Sequence, residues 1–415
     1  MKDTGQTSGL KSFWAVEHGA VGVYAGVFFQ AFLGGIWLVT MPFIIKRLSG
    51  SDFDVGLCIG LGFLGYVVAL VGCLFGRVVL DRFSAKRTVQ LGVGAITALM
   101  AAAYLTVVEA EKGYCGNSAI LVLTVLSTIQ GLMTAMFWPG VVGWLSREHE
   151  GGELNRRLGI FNVSWSLAGI ISPYVGGYLV EINSTLPLMA CIVMGVLSFT
   201  AVSFAHKPQR LIDIVGSNGA KAYGDGMYLL RRQFMWMGKI ALLTSFVCIG
   251  LMRTQLALLF KFKLGFSELS YGVAIMVMSV AIFVVFFAAG KTHIWHYVLS
   301  IFLGAQGLLL LSMLLILNGV GLWELFLAAG LVGGGQAFLY SSHLYYGISS
   351  ARNRSGRMAI HEITLAVGFL IGSVVGGYLS DNFGRYVPYW FGFGIVVAGL
   401  LAQSAVWFLH RANQK

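Results

Sequence analysis

Charge is scarce in this chain. Of 415 residues only 11% are charged, against 57% hydrophobic, and the mean hydropathy is +0.79. That much apolar surface cannot be hidden inside a water-soluble domain, so lipid must be the main solvent. Cysteine is sparse too: Cys58, Cys73, Cys115, Cys191 and Cys248, of which only Cys115 falls in an expected loop, so no disulfide framework follows. No Cys/His set has metal-ligand spacing, and no nucleophile stands beside an evident base and acid, so neither a metal nor an enzymatic site is expected. No Gly-x4-Gly-Lys-Ser/Thr occurs, which removes the usual cradle for a nucleoside triphosphate; no cofactor is expected.

What is present is a series of apolar blocks, each long enough to cross about 30 Å of hydrocarbon at 1.5 Å per residue. Runs such as 229–260 and 299–317 do not alternate, which rules against a spanning β-barrel. The expected architecture is an all-α polytopic membrane protein of twelve transmembrane helices. The spans fall near 20–45, 53–76, 88–108, 119–145, 156–181, 185–206, 236–260, 268–290, 293–317, 322–348, 357–380 and 386–409. The 55 glycines suit close helix contact in lipid. The first fourteen residues lack the apolar core and small-residue site of a cleaved leader, so the first span is expected to remain as the insertion signal.

The longest polar stretch separates six spans from six. The expected division is a bundle over 1–206, a cytoplasmic linker with an interfacial helix over 207–235, and a second bundle over 236–415. Positive loops tend to remain cytoplasmic. With both termini inside, the outer loops hold only Lys46, Arg47, Lys112, Lys261, Lys263 and Arg385, while Arg253 lies within a span. The net charge of +11 then reflects topology and anionic lipid headgroups rather than nucleic acid.

The second half repeats the first. Residues 157–181 align without gaps on 357–381, with Arg157, Ile160, Ile171, Val175, Gly176, Gly177, Tyr178 and Leu179 identical to their counterparts and an acid, Glu181 or Asp381, closing each copy. The loop around Ser51, Asp52 and Gly56 likewise matches that around Ser267, Glu268 and Gly272. Each match joins span n to span n + 6, so the halves are parallel repeats about an axis along the membrane normal. That is the architecture of a carrier working by alternating access.

Between spans two and three stand Gly76, Asp81, Arg82, Lys86 and Arg87. This resembles the signature loop of the major facilitator superfamily, which needs a tight turn, an acid that can pair with bases or a helix N-terminus, and positive charge on the cytoplasmic side. Gly169, Pro173, Gly176 and Gly177 resemble the family's glycine- and proline-containing segment in span five, echoed by Gly376 and Gly377; these are read as helix-packing positions. The resemblance implies a two-bundle carrier in a bacterial cytoplasmic membrane, a monomer whose partners are a small-molecule substrate, the bilayer and protons. Two departures stand out. The second-half loop, Gly290 to His296, lacks the Asp, and Ser127 stands where the family pattern places an Arg three residues before Gln130-Gly131, which weakens the case for proton coupling there.

Polar groups within spans mark the candidate path. Cavity candidates are Gln30, Trp37, Trp138, Asn162, Trp165, Arg253, Gln255, Tyr340 and His343. Arg253 reads either as a clamp for an anionic group or as a side chain snorkelling to the outer face. Glu362, with His361 or His343 beside it, is the proton-coupling candidate; the rival reading pairs Glu362 with Arg354 or Arg357 in a gate. Glu109, Glu111, Glu181, Glu324 and Asp381 fall at outer ends and read as solvated loop residues. The functional expectation is a secondary transporter of a small organic solute with proton coupling. An ion-independent facilitator and a non-transporting sensor or scaffold are the alternatives.

Overall fold

The structure, a computed structural model, describes residues 20–75, 84–114, 118–146, 151–205, 225–292, 294–348 and 354–412. Among them are twelve helices long and apolar enough to cross a membrane and no strand. In the first half these are α1 (Val21–Arg47), α2 (Asp52–Phe75), α3 (Ala85–Glu111), α4 (Ser118–Ser146), α5 (Gly151–Ile182) and α6 (Leu186–Phe204). In the second they are α7 (Asp225–Phe262), α8 (Glu268–Lys291), α9 (Leu299–Asn318), α10 (Leu322–Ile348), α11 (Arg354–Phe383) and α12 (Val387–Ala412). Each expected span overlaps one of these helices; the largest shift is at 293–317, where the helix begins only at Leu299 because 294–297 form a turn, and residues 76, 206 and 293 lie outside the described residues.

Local chemistry sets several helix starts. Ser51 and Asp54 form a reciprocal capping box at α2: Asp54 N donates to Ser51 Oγ at 3.0 Å, and Ser51 N donates to Asp54 Oδ2 at 2.8 Å. Ser267 caps α8 by accepting from Ser270 N at 3.1 Å, and Ser84 caps α3 through Arg87 N. The two serines of the repeated loop therefore do the same job in the two halves.

One boundary moves. The segment from Gly226 to Trp236 does not form a separate interfacial helix, since α7 runs unbroken from Asp225 to Phe262. It holds no breaker after Gly226, and its polar side chains find partners in the second bundle: Arg231 Nε donates to Tyr346 O at 3.3 Å and Gln233 Nε2 to Trp407 O at 3.1 Å. The rest of the linker, 207–224, lies outside the described residues, as do Gly76, Asp81 and Arg82.

Within the first bundle α1 packs on α5 and α6, and α4 on α2 and α3; within the second α7 packs on α11 and α12, and α10 on α8 and α9. The halves meet mainly along two seams, α2 with α11 and α5 with α8, which exchange under the pseudo-two-fold axis. The end at which α1 begins and α12 finishes is called proximal below, and the opposite end distal.

The second bundle also holds a reciprocal amide pair. Gln306 Nε2 of α9 donates to Gln403 Oε1 of α12 at 2.9 Å, Gln403 Nε2 returns a bond at 2.7 Å, and both residues are fully buried. Interhelical bonds of this kind contribute about 0.6–1.7 kcal/mol in membranes. Gln306→Leu alone is expected to cost about 1–3 kcal/mol because it orphans the Gln403 amide, and adding Gln403→Leu should recover part of that loss in thermal unfolding of the detergent-solubilised protein.

Candidate functional site

The repeated Gly-Gly doublet builds the distal part of the seams. The first glycine of each copy faces its own bundle: Gly176 lies against Ile36 and Thr40 of α1, and Gly376 against Leu251 and Gln255 of α7. The second faces the opposite bundle. A Cβ on Gly177 would stand 2.9 Å from Glu268 O and 3.2 Å from Gly272 Cα; one on Gly377 would stand 2.7 Å from Asp52 O and 3.3 Å from Gly56 Cα. Pro173 and Ser373 play matching roles, each presenting its carbonyl to the glycine of the facing helix, Gly272 or Gly56. Gly169 faces open space instead.

A collar of charges surrounds these crossings. Asp52, 3% exposed, receives Lys46 Nζ at 3.0 Å, Arg385 Nε at 3.0 Å and Ser380 Oγ at 2.7 Å. Glu268, 4% exposed, receives Lys261 Nζ at 2.9 Å and Arg47 Nη2 at 3.3 Å. Asp381 accepts from Asp52 N at 2.8 Å and Phe53 N at 2.9 Å, and Glu181 accepts from Leu269 N at 3.2 Å. The acid that closes each repeat thus caps a helix of the other bundle, where the positive end of the dipole favours it. Glu181 and Asp381 are exposed, as expected of acids at outer ends, but they belong to helices α5 and α11 rather than loops, and each also binds the backbone of the opposite bundle. The available signal was the acid at the same place in both copies.

Toward the proximal side the seam turns aromatic. Phe63 of α2 stacks on Phe369 of α11 with centroids 3.8 Å apart, and Trp165 of α5 meets Phe286 of α8 edge-on at 6.1 Å. Tyr340 lies 5.4 Å from Phe286, 6.5 Å from Phe246 and 4.4 Å from His361. Tyr66, which donates its hydroxyl to Glu362 Oε2 at 3.2 Å, ties α2 to α11 beside this group. Glu362 has no cation within ion-pair distance among the described residues. Arg357 instead directs Nη1 at Met235 Sδ, 2.9 Å away, and the Arg354 side chain lies outside the described residues.

His343 and His361 form a buried stacked pair, Nδ1 to Nδ1 at 2.7 Å, with both Nε2 atoms lacking partners. At that distance one ring donates and the other accepts, so the two imidazoles hold complementary tautomers.

The remaining candidates scatter. Trp37 is 3% exposed within the main apolar core, and Gln255, 1% exposed, is wedged against Gly376; their placement is that of packing residues. Gln30 is buried, and Oε1 of both glutamines lacks a partner. Trp138 meets Phe161 edge-on, while Asn162 is exposed and accepts from Trp165 Nε1 at 3.0 Å. Arg253 is partly buried in α7. At the proximal end Lys86 donates to the carbonyls of Ser203 and Ala205, each at 2.6 Å, which ties α3 to the end of α6. The helix of Arg87 begins at the Ser84 cap.

Comparison with known proteins agrees with this arrangement. The profile of the Major Facilitator Superfamily matches residues 23–351. Multidrug resistance protein 1 of Bacillus subtilis (strain 168) is 23% identical over 393 residues, 91% of this chain and 94% of that protein. Quinolone resistance protein NorA of Staphylococcus aureus (strain MRSA252) is 23% identical over 184 residues, so the match spans 44% of this chain and only 44% of that relative's length. Among solved structures, a POT family transporter in complex with a thioalcohol-conjugated peptide superposes with a TM-score of 0.71 at 13% identity, covering 95% of this chain and 98% of that one, a likeness of fold alone. With its twelve apolar helices in two repeated halves, the chain is an integral, multi-pass membrane protein and belongs to the Major Facilitator Superfamily.

Proposed function

We propose that the protein is a secondary transporter that moves a small amphipathic organic solute by alternating access, with Glu362 as its proton-exchanging group. The observation that carries this reading is the Tyr66 to Glu362 hydrogen bond across the α2 and α11 seam. A carboxyl whose partner belongs to the opposite bundle loses that partner when the bundles rock apart, so its protonation and the conformational change are linked. A charged carboxylate is costly at membrane depth and a neutral one is not, which gives the proton a direct influence on which conformer is favoured.

The glycine crossings and the ionic collar support a conformer closed at the distal face. With both termini cytoplasmic, by the distribution of Lys and Arg, that face is extracellular. The aromatic groups along the seam suit a solute with an aromatic body. Two relatives are named for drug resistance, which points to export and makes a quinolone a reasonable first test substrate.

A facilitator without ion coupling is the second reading, and Ser127 is the observation in its favour. It is 3% exposed and packed against Gly62 of α2, so the position that carries an Arg in the family pattern holds a small buried residue.

Transport in proteoliposomes separates the two. A one-unit pH gradient is worth about 1.4 kcal/mol per proton, roughly tenfold in accumulation. The wild-type protein is expected to accumulate a quinolone to about that extent, while Glu362→Gln still equilibrates it but no longer responds to the gradient. An unchanged pH response in Glu362→Gln would overturn the coupling assignment, and gradient-independent transport in the wild type would establish the facilitator.

A further inference from the structure

Along the middle of α7, residues 241–260, all residues but Leu243, Phe246 and Arg253 are buried, and these three are half-buried. At 3.6 residues per turn all three fall on one stripe of the helix. Phe246 lies beside Tyr340 and packs against the apolar cluster where α2, α4, α7 and α11 meet, so the stripe looks into the space between the bundles rather than toward lipid. Arg253 therefore holds a permanent positive charge inside the seam. Among the described residues no acid lies within ion-pair distance of it.

The snorkelling alternative fails on length. Arg253 stands about 14 Å from the end of α7 at Phe262, at 1.5 Å per residue, which is further than its stem can carry the guanidinium toward the distal surface. Its backbone is also held, because the Tyr271 hydroxyl donates to Arg253 O at 3.0 Å and to Met252 O at 3.2 Å. A half-buried arginine on a backbone held in this way, with no acid partner among the described residues, can present two parallel N–H donors to a planar oxyanion.

We infer that Arg253 is the docking cation for an organic anion, a carboxylate or sulfonate on an aromatic body, so that the transported solute carries a negative charge. The aromatic body follows from the Phe63 and Phe369 stack that lines the seam on the proximal side. This rests on the reading of the seam as the transport path and adds the substrate class. It also separates anion from proton. Gly376 packs against Gln255, which sets Arg253 near residue 374 of α11 in depth, about 18 Å from Glu362 along the helix. Substrate anion and coupling proton thus occupy different levels of the seam and need not displace one another.

The test uses the purified full-length protein and three probes that share one ring system: 2-naphthoate, 2-naphthylmethanol and 2-naphthylmethylammonium. The wild type is expected to bind 2-naphthoate more tightly than either of the others by roughly tenfold or more, as for a hydrogen bond to a charged group. Arg253→Gln should erase that preference, Arg253→Lys should keep part of it, and Glu362→Gln should leave it intact. Equal affinity for naphthoate and naphthylmethanol in the wild type, or a preserved preference in Arg253→Gln, overturns the assignment. Should Arg253→Gln fail to fold, modification of the wild type by phenylglyoxal, mapped by mass spectrometry, decides the matter. Naphthoate, and not naphthylmethanol, must protect Arg253, and equal modification with either probe refutes the site. Failure of pH-driven transport with the anion preference intact would instead count against the coupling assignment alone.

Discussion

Gly377→Val is expected to hold the transporter open at its distal face and suppress transport, whereas Gly376→Val, one residue away, should lower stability with little effect on that equilibrium. The contrast follows from what each new side chain meets. At Gly377 a Cβ stands 2.7 Å from Asp52 O and 3.0 Å from Phe53 Cα, both backbone atoms of the opposite bundle, so α2 and α11 must separate to make room. At Gly376 the obstacles are Leu251 Cδ2 and Gln255 Cγ, the movable side chains of α7 in the same bundle. Overpacking of this kind costs about 1–3 kcal/mol. Applied to one conformer only, that displaces the equilibrium by roughly 5- to 150-fold. Gly177→Val should act likewise through Glu268 O and Leu269 Cα, and it should add to Gly377→Val because the two crossings lie on separate seams. Spin labels on cysteines replacing the exposed Ile182 and Phe383 read the outcome. A longer interbundle distance is expected in the Gly377 and Gly177 variants and not in Gly376→Val; equal distances in all of them would show that the doublet does not control closure.

How the doublet divides its labour was beyond the sequence. The identity of Gly176-Gly177 with Gly376-Gly377 establishes that the halves are related and that these helices pack closely. It does not say that one glycine looks inward and the next across, because that depends on how each helix is rotated against its neighbours. Apolar runs and the repeat made the twelve helices and their pairing legible, since a span must close its own backbone hydrogen bonds and a six-span offset leaves few topologies. The start of α7 is not legible in the sequence, because its basic and apolar mixture fits a headgroup position as well as a docked helix; the partners of Arg231 and Gln233 decide between them.

The candidate site was legible in part. Glu362 stood out as an acid within a span, yet its Tyr66 partner lies on a helix far away in sequence, and spacing had suggested Arg354 or Arg357. His343 and His361 were both visible, but their contact depends on the rotation of α10 against α11. Trp37 and Gln255 illustrate the converse. Amides and aromatics at central depth are as often buried between helices as turned to a path, and composition does not distinguish the two. Glu181 and Asp381 lie near helix ends, where solvated charge is common, so position alone does not mark them as part of the collar. Their role came from a partner across the seam, which one copy of the repeat cannot reveal.

The collar is not symmetric, and that asymmetry sets the second large effect. Asp52→Asn is expected to favour distal opening more strongly than Glu268→Gln. Asp52 binds Arg385 of the opposite bundle through Nε at 3.0 Å and Nη2 at 3.3 Å and also Ser380 Oγ, while among the described residues the Glu268 carboxylate has one cross-bundle partner, Arg47 at 3.3 Å. The helix caps lean the same way: Asp381 satisfies two N–H groups of α2, Glu181 one of α8. The carboxylates are buried but their basic partners are 18–39% exposed, so each latch falls between an exposed pair, at about 0.2–1 kcal/mol, and a broken buried pair, at about 3–5 kcal/mol. At about 2 kcal/mol, loss of the Asp52 latch shifts the conformers by roughly 30-fold, and loss of the Glu268 latch by several-fold less. Because the basic arms reach water, high salt should mimic part of each substitution in the wild type and have less effect in the variants. The same Ile182 and Phe383 labels measure both, and the exchange Asp52→Arg with Arg385→Asp should recover part of the closed population. Were Glu268→Gln to open the distal face as far as Asp52→Asn does, the two seams would carry equal shares of closure. The stronger fastening of α2 to α11 would then have no mechanical consequence; otherwise opening begins on the α5 and α8 side.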